Sequence, residues 1–271
     1  MIKNNLNQNK RHFLVIAAVS RGARFFIKKA LTLGHSVTGL CRAESDKAAF
    51  ERLNKLLNET ILTDSDAIYS EEKGKLYGKS NNILDPNCYK SILTENSDID
   101  AVVCFVGAAA SFKEQYSHNL QIYTKTYGAL IEGMEKSRWV ETFIHGSSGS
   151  EGTPGKHKYI KLPSNFRLKW LIQILGNTPA AQNYFESEYI LANAKKKGLH
   201  FILFRPAFLT SATAKRNYEY SIDKSEELAN KKTKMTISRE DVAEEILRVT
   251  LLSEDKRNKY YGHGVYLVDL K

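Results

Sequence analysis

Between Phe13 and Arg42 the spacing of hydrophobic positions changes period twice. Phe13 to Ala18 is an uninterrupted apolar run, which predicts a central parallel strand covered on both faces. Phe25, Phe26, Ala30, Leu31 and Leu33 then recur near the helical period, and Gly34 stops the helix before Ser36 to Cys41 resumes as strand. Strand, small-residue turn, amphipathic helix and strand within about thirty residues make a βαβ unit of the kind that opens a dinucleotide-binding domain. Such a unit aims the N–H groups of the turn and the positive end of the helix at one spot, where a pyrophosphate can sit.

The alternation continues along the chain. Lys47 to Asn58 reads as a helix with Ala49, Phe50, Leu53, Leu56 and Leu57 on its apolar side, and the polar stretch from there to Lys79 reads as a surface insertion. Asn81 to Asp85 is expected as a short third strand, Pro86 to Leu93 as a helix with proline in its first turn, and Ala101 to Val106 as a fourth strand closed by Gly107 and small alanines. Leu120 to Lys136 is the next helix, Glu141 to His145 the fifth strand and Tyr184 to Lys197 another helix. Leu199 to Phe204 is the sixth strand, which Arg205 and Pro206 are expected to end. Ser238 to Leu252 and Gly264 to Val268 supply a last helix and a closing strand. The fold class is therefore α/β, a doubly wound parallel sheet. Ligands bind such sheets outside the carboxyl ends of the strands. The residues expected there are Ala17 to Ala23, Arg42, Asn82, Ile83, Gly107, Ala108, Ser147, Ser148 and Pro206 to Phe208.

The turn itself departs from the glycine-rich pattern. Glycines belong at the positions of Ala17, Ser20 and Ala23, and only Gly22 remains in the stretch Ala17-Ala18-Val19-Ser20-Arg21-Gly22-Ala23. Each replacement is small, so the shape can survive, although an added methyl costs roughly 1 kcal/mol wherever the backbone is strained.

Composition narrows the class further. With 271 residues, 42% hydrophobic content and five prolines, the chain suits one α/β domain over residues 12–271, with residues 1–11 as a polar lead-in. No run reaches transmembrane length. The three cysteines, Cys41, Cys88 and Cys104, lack metal-type spacing and read as reduced thiols of a cytoplasmic protein, with no metal site. The net charge of +10 is spread over helices and loops without interleaved aromatics, which argues against nucleic acid. Lys195, Lys196 and Lys197 end a predicted helix before Gly198, where cations complement the helix dipole. The denser segment of Lys156, His157, Lys158, Lys161, Arg167 and Lys169 is either a solvated face or a contact for an anionic substrate.

The segments GHSVTGLCR, NNILDP, DAVVCFVG, FIHGSS, GLHFILFRPAFLT and ISREDVA resemble, in order and spacing, those of the NmrA-like, NAD(P)H-binding group of atypical short-chain dehydrogenase/reductases. The resemblance runs from Phe13 to about Val268. It implies a Rossmann domain with strand order 3-2-1-4-5-6-7 and a small carboxy-terminal substrate lobe, here expected near residues 149–183 and 207–235. Phe166, Trp170, Leu171, Ile174 and Leu175 within that lobe suggest an amphipathic helix that lines an apolar pocket or packs on the core.

Carried onto this chain, the resemblance implies a cofactor site of Ala17, Val19, Ser20, Arg21, Gly22, Ala23, Arg42, Asn82, Ile83, Gly107, Ala108, Pro206 and Phe208. Ser20 to Ala23 would hold the pyrophosphate, Arg42 would face the adenosine ribose, and Asn82 stands where the family often has an aspartate beside adenine. An arginine at the end of the second strand pairs well with a 2′-phosphate, so NADP is favoured over NAD.

Reductases of the wider superfamily use a Ser, Tyr and Lys set in which lysine lowers the tyrosine's pKa. Here Ser147 or Ser148 takes the serine position, but Glu188 stands four residues after Tyr184 and Asn193 four after Tyr189. A carboxylate cannot replace the ammonium, because it raises a neighbouring phenol's pKa. Ser147, Tyr184 and Glu188 are the candidate catalytic residues, with His145 a further proton source. Two activities follow: hydride transfer from NADPH to a small flavin, quinone or carbonyl acceptor, or cofactor binding without turnover, as in a redox sensor of NmrA type. The expected partner is a small-molecule substrate, with no nucleic acid and no membrane, in a monomer or homodimer.

Overall fold

Alternating inward side chains along the first strand already require two helical layers, one on each face of a central sheet. The computed structural model describes residues 10–63, 74–106, 122–137, 142–146, 193–222, 228, 233 and 236–270, with backbone alone at 122–124, 136–137, 142–146 and 208. In β1 (His12–Ile16), Phe13 and Val15 face a core shared with α1 (Arg21–Thr32), α2 (Asp46–Asn58) and α5 (Arg239–Thr250). Leu14 and Ile16 face the other core, built on α3 (Pro86–Glu95) and α4 (Ile122–Ser137). All four strand residues are fully buried, as the unbroken apolar run requires.

The remaining strands are β2 (Ser36–Cys41), β3 (Leu76–Ser80), β4 (Ile99–Cys104), β5 (Thr142–Gly146), β6 (His200–Pro206), β7 (Phe208–Thr210), β8 (Tyr218–Ile222), β9 (Thr236–Ser238) and β10 (His263–Asp269). The main sheet runs β3-β2-β1-β4-β5-β6-β10-β8. Its first seven strands are parallel, and β8 adds an antiparallel edge on β10. The chain thus has the expected doubly wound order, reversing direction of travel between β1 and β4. A parallel pair, β7 with β9, lies apart from this sheet.

Local chemistry explains the helix limits. Ser20, Ser45 and Ser238 cap α1, α2 and α5, their hydroxyls accepting the N–H of Ala23, Ala48 and Asp241. Gly34, at φ 85°, turns the chain out of α1 in the left-handed conformation that glycine adopts without a Cβ clash. At the other end of the chain, fully buried Asp241 accepts the Ser238 hydroxyl at 2.7 Å and the N–H groups of Lys215 and Arg216 at 3.1 and 3.0 Å. The start of α5 is thereby bolted to the segment between β7 and β8.

Three expectations need correction. The third strand is Leu76–Ser80 and not 81–85, where a turn instead sets Asp85 N–H on the Asn82 carbonyl. An edge strand has one unpaired side and need not be apolar, so LYGKS carries little hydrophobic signal. Its Gly78 lies so close to α2 that a Cβ there would come within 2.2 Å of the Phe50 nitrogen. The sixth strand continues through Arg205 and Pro206, because Pro206 is its last residue and the carbonyl side of the strand remains available to β10. The first strand, finally, ends at Ile16, two residues before the apolar run does.

Candidate functional site

Because β1 to β6 are parallel, their carboxyl ends open on one edge of the sheet. The turn after β1 forms at the strand-order reversal. Ala17 takes φ 56°, the left-handed region a glycine would occupy, and its carbonyl accepts the Ser20 N–H at 2.9 Å. Ala18 is fully buried and donates its N–H to the Leu40 carbonyl of β2 at 3.2 Å, while Val19 is partly buried against the core. The glycine-type turn therefore persists on an alanine.

Ser20 then caps α1, its hydroxyl 3.3 Å from the Ala23 nitrogen and its carbonyl 3.1 Å from that of Arg24. The N–H groups of Arg21 and Gly22 are left without an acceptor among the described residues, as first-turn donors are unless something caps them. Gly22 has a steric role. A Cβ there would stand 3.2 Å from Cδ1 of Phe105, the residue following β4, whose ring also packs against Phe26 at 5.8 Å between centroids. Ala23 is fully buried, so its methyl is accommodated at the third glycine position. No acid lies in the first turn of α1, whereas Arg21 and Arg24 do, and the Arg24 Nε is buried without a hydrogen-bond partner among the described residues. Unsatisfied N–H groups, a positive helix end and an orphaned guanidinium nitrogen fit a pyrophosphate.

Arg42 is exposed one residue beyond β2. Its carbonyl accepts from Arg52 Nη1 at 2.9 Å, and the next residue, Ala43, is pinned to β3 by Ser80, whose hydroxyl both accepts the Ala43 N–H and donates to the Ala43 carbonyl. The loop that presents Arg42 is thus held from two sides. Asn82 is exposed after β3, with its side-chain oxygen taken by the Leu84 N–H at 3.1 Å, and the Ile83 carbonyl accepts the Tyr89 hydroxyl at 2.7 Å. Pro206 is buried at the end of β6, and the backbone of Phe208 opens β7. Gly107, Ala108, Ser147, Ser148, Tyr184 and Glu188 lie outside the described residues, and of His145 only the backbone, paired with Cys104 and Leu203, is described.

The cysteines do not compete for a chemical role. All three are buried, and burial pushes the Cys88 thiol up to about 12 and the Cys41 thiol above its usual range. Among the described residues no cluster of His, Cys, Asp and Glu suits a metal ion, and no helix is long and apolar enough to cross a membrane.

Arg52, Phe105 and Arg239 at this edge were not legible as site residues. Arg239, the first residue of α5, donates to the Ser211 hydroxyl at 3.1 Å just beyond β7, and burial followed by the nearby charge of Arg21 holds its guanidinium below the ordinary arginine value. The sole sequence cue was its place after a Ser-x-x-Asp cap, Ser238 to Asp241.

No family model matches the chain, and no curated protein matches it significantly. Solved structures do match. A short-chain dehydrogenase/reductase from Veillonella parvula in complex with NADP aligns over 96% of this chain and 94% of its own, at 12% identity and a TM-score of 0.58. A reductase of anaerobilin from Escherichia coli O157:H7 aligns over 96% and 98%, at 15% identity and a TM-score of 0.59. A Streptococcus pneumoniae protein, named as a proposed NADH-flavin reductase, aligns over 96% and 99%, at 16% identity and a TM-score of 0.59. The shared architecture extends over nearly the whole chain, and it is the Rossmann-type fold that these structures have in common.

Proposed function

We propose that the chain binds NADP(H) at the turn between β1 and α1 and passes hydride to a small organic acceptor, a flavin, quinone or carbonyl. The observation that carries this reading is the left-handed Ala17, which keeps a dinucleotide-type turn open at the strand-order reversal although its glycines are gone. The folds aligned above include one bound to NADP and one named for reduction of anaerobilin, which supports the class of activity without choosing the acceptor.

In this reading the Arg21 and Gly22 N–H groups bind the pyrophosphate at the positive end of α1. Arg42, fixed through its own carbonyl by Arg52, pairs with the 2′-phosphate. Asn82 and Ile83 border adenine, and Gly107, Ala108, Pro206 and Phe208 border the nicotinamide half. Bound there, the nicotinamide supplies the hydride. Ser147, Tyr184 and Glu188 are assigned to positioning the acceptor and delivering its proton, and residues near 149–183 and 207–235 to covering it. A flavin or quinone needs little acid assistance, which suits a chain without the tyrosine–lysine pair.

The second reading, a nucleotide-binding redox sensor without turnover, rests on that same missing pair: Glu188 follows Tyr184 and Asn193 follows Tyr189 at the lysine spacing. Titration calorimetry with NADPH, followed by NADPH oxidation assays against flavin, quinone and carbonyl panels, separates the two. Binding with turnover supports the reductase, binding without turnover on any acceptor supports the sensor, and absence of binding removes both.

A further inference from the structure

Helices α1 and α5 are neighbours on one side of the sheet. The helices lie against each other, with Phe26, Ala30, Val242 and Ile246 in one core, and Lys29 near the end of α1 pairs with Glu244 of α5 at 3.3 Å. Each helix opens with an arginine, Arg21 and Arg239, and the charge of Arg21 reaches the Arg239 guanidinium. A cation at a helix start opposes the helix dipole, and two of them facing each other add mutual repulsion.

Neither arginine has an ion-pair partner among the described residues, although Glu240 and Asp241 stand in the first turn of α5. Arg239 has only the neutral Ser211 hydroxyl. The acids beside Arg239 are occupied elsewhere, Asp241 by Ser238, Lys215 and Arg216, and Glu240 by the N–H and hydroxyl of Thr63 at 2.7 and 2.5 Å. Arg24, one turn along α1, adds its unpartnered buried Nε. Such an arrangement is unfavourable alone and is relieved by an anion between the two arginines.

We propose that Arg239 is a pyrophosphate ligand, closing over the dinucleotide from α5 while Arg21 and the α1 amides hold it from below. The inference rests on the nucleotide-binding reading above and adds a residue from the far end of the chain. Ser211 holds the guanidinium in place, so Arg239 is pre-positioned before the ligand arrives. The pyrophosphate is common to NADPH and NADH, which distinguishes this role from that of Arg42.

The test is calorimetric titration of the full chain with NADPH, NADH and inorganic pyrophosphate, for the wild type, Arg239→Gln, Arg239→Lys and Ser211→Ala, with the melting temperature of each ligand-free protein. Loss of a charged hydrogen bond predicts about tenfold or more weaker binding of NADPH and NADH alike in Arg239→Gln, partial recovery in Arg239→Lys, and an unchanged or raised ligand-free melting temperature. Equal affinity of wild type and Arg239→Gln overturns the inference while leaving the nucleotide site intact. A loss confined to NADPH assigns Arg239 to the 2′-phosphate and likewise overturns it. If Arg239→Gln fails to fold, Arg239→Lys with wild-type affinities for all three ligands and Ser211→Ala with unaltered binding overturn it. A wild type that binds none of the three removes this inference together with the reading beneath it.

Discussion

Replacing Ala17 by glycine should leave the protein as stable or more stable, whereas the same change one residue later should cost it dearly. A left-handed L-residue is worse than a right-handed one by about 1–2 kcal/mol, and glycine removes that strain. Against this stand the extra freedom of glycine in the unfolded chain, about 0.4–1 kcal/mol, and the loss of a partly buried methyl, below about 0.8 kcal/mol. The balance for Ala17→Gly lies near zero to about +1 kcal/mol of added stability. Ala18 carries no such strain, is fully buried, and sets its methyl where it would meet a Cβ on Gly39 at 3.1 Å. Ala18→Gly therefore loses a full methyl burial and the same entropy, about 1–2 kcal/mol. For a chain of this size a 1 kcal/mol change moves the melting temperature by about 2–4 °C, so the two variants, about 1–3 kcal/mol apart, should differ by about 2–12 °C in a calorimetric scan. Equal melting temperatures, or Ala17→Gly melting below Ala18→Gly, would refute a left-handed Ala17 and with it the claim that the turn retains its dinucleotide-binding shape.

Arg42→Ala should weaken NADPH about tenfold or more in titration calorimetry while changing NADH less than about twofold, and equal losses would remove the 2′-phosphate assignment. Burial, then the charge of Arg11, holds the His35 imidazole below its usual value of 6.5, so the native state stays neutral where the unfolded chain takes up a proton. Stability is therefore complete above about pH 6.5 and falls as the pH drops from there towards the folded-state pKa, by up to about 1.4 kcal/mol per pH unit; His35→Gln should flatten the pH dependence of the urea midpoint between pH 7.5 and 5.5, and an unchanged slope would show that another group is responsible. Asp241→Ala should lower the unfolding free energy by about 3 kcal/mol or more, because the Ser238 hydroxyl and the Lys215 and Arg216 amides all lose their acceptor. A loss under about 1 kcal/mol in urea titration would mean that water replaces the carboxylate at those donors.

Much of the fold was legible because its signals are local. Phe13 to Ile16 carries its burial on both faces in its composition, Ser238 and Asp241 spell a helix start three residues apart, and Gly34 marks the end of α1. The turn after β1 was legible as a place; there Ala17 sits left-handed, Ser20 caps α1 and Gly22 lies against Phe105, with no glycine at the first position to signal it. Arg52, Phe105 and Arg239 were not legible, since each matters through a neighbour distant along the chain: the Arg42 carbonyl, Gly22 and Arg21.

The amino-acid sequence by itself determined the βαβ opening, the parallel alternation and the edge of the sheet onto which the strands' carboxyl ends open, because hydrophobic period and capping chemistry act over a few residues. Tertiary structure alone decided that LYGKS is a strand, that β8 closes the sheet antiparallel, and that an alanine sits left-handed. It also decided that α5 packs against α1, where the charge of Arg21 reaches Arg239. These depend on which partner supplies the missing hydrogen bonds, contacts or charge, and a partner far along the chain leaves no periodic mark on the segment it stabilises.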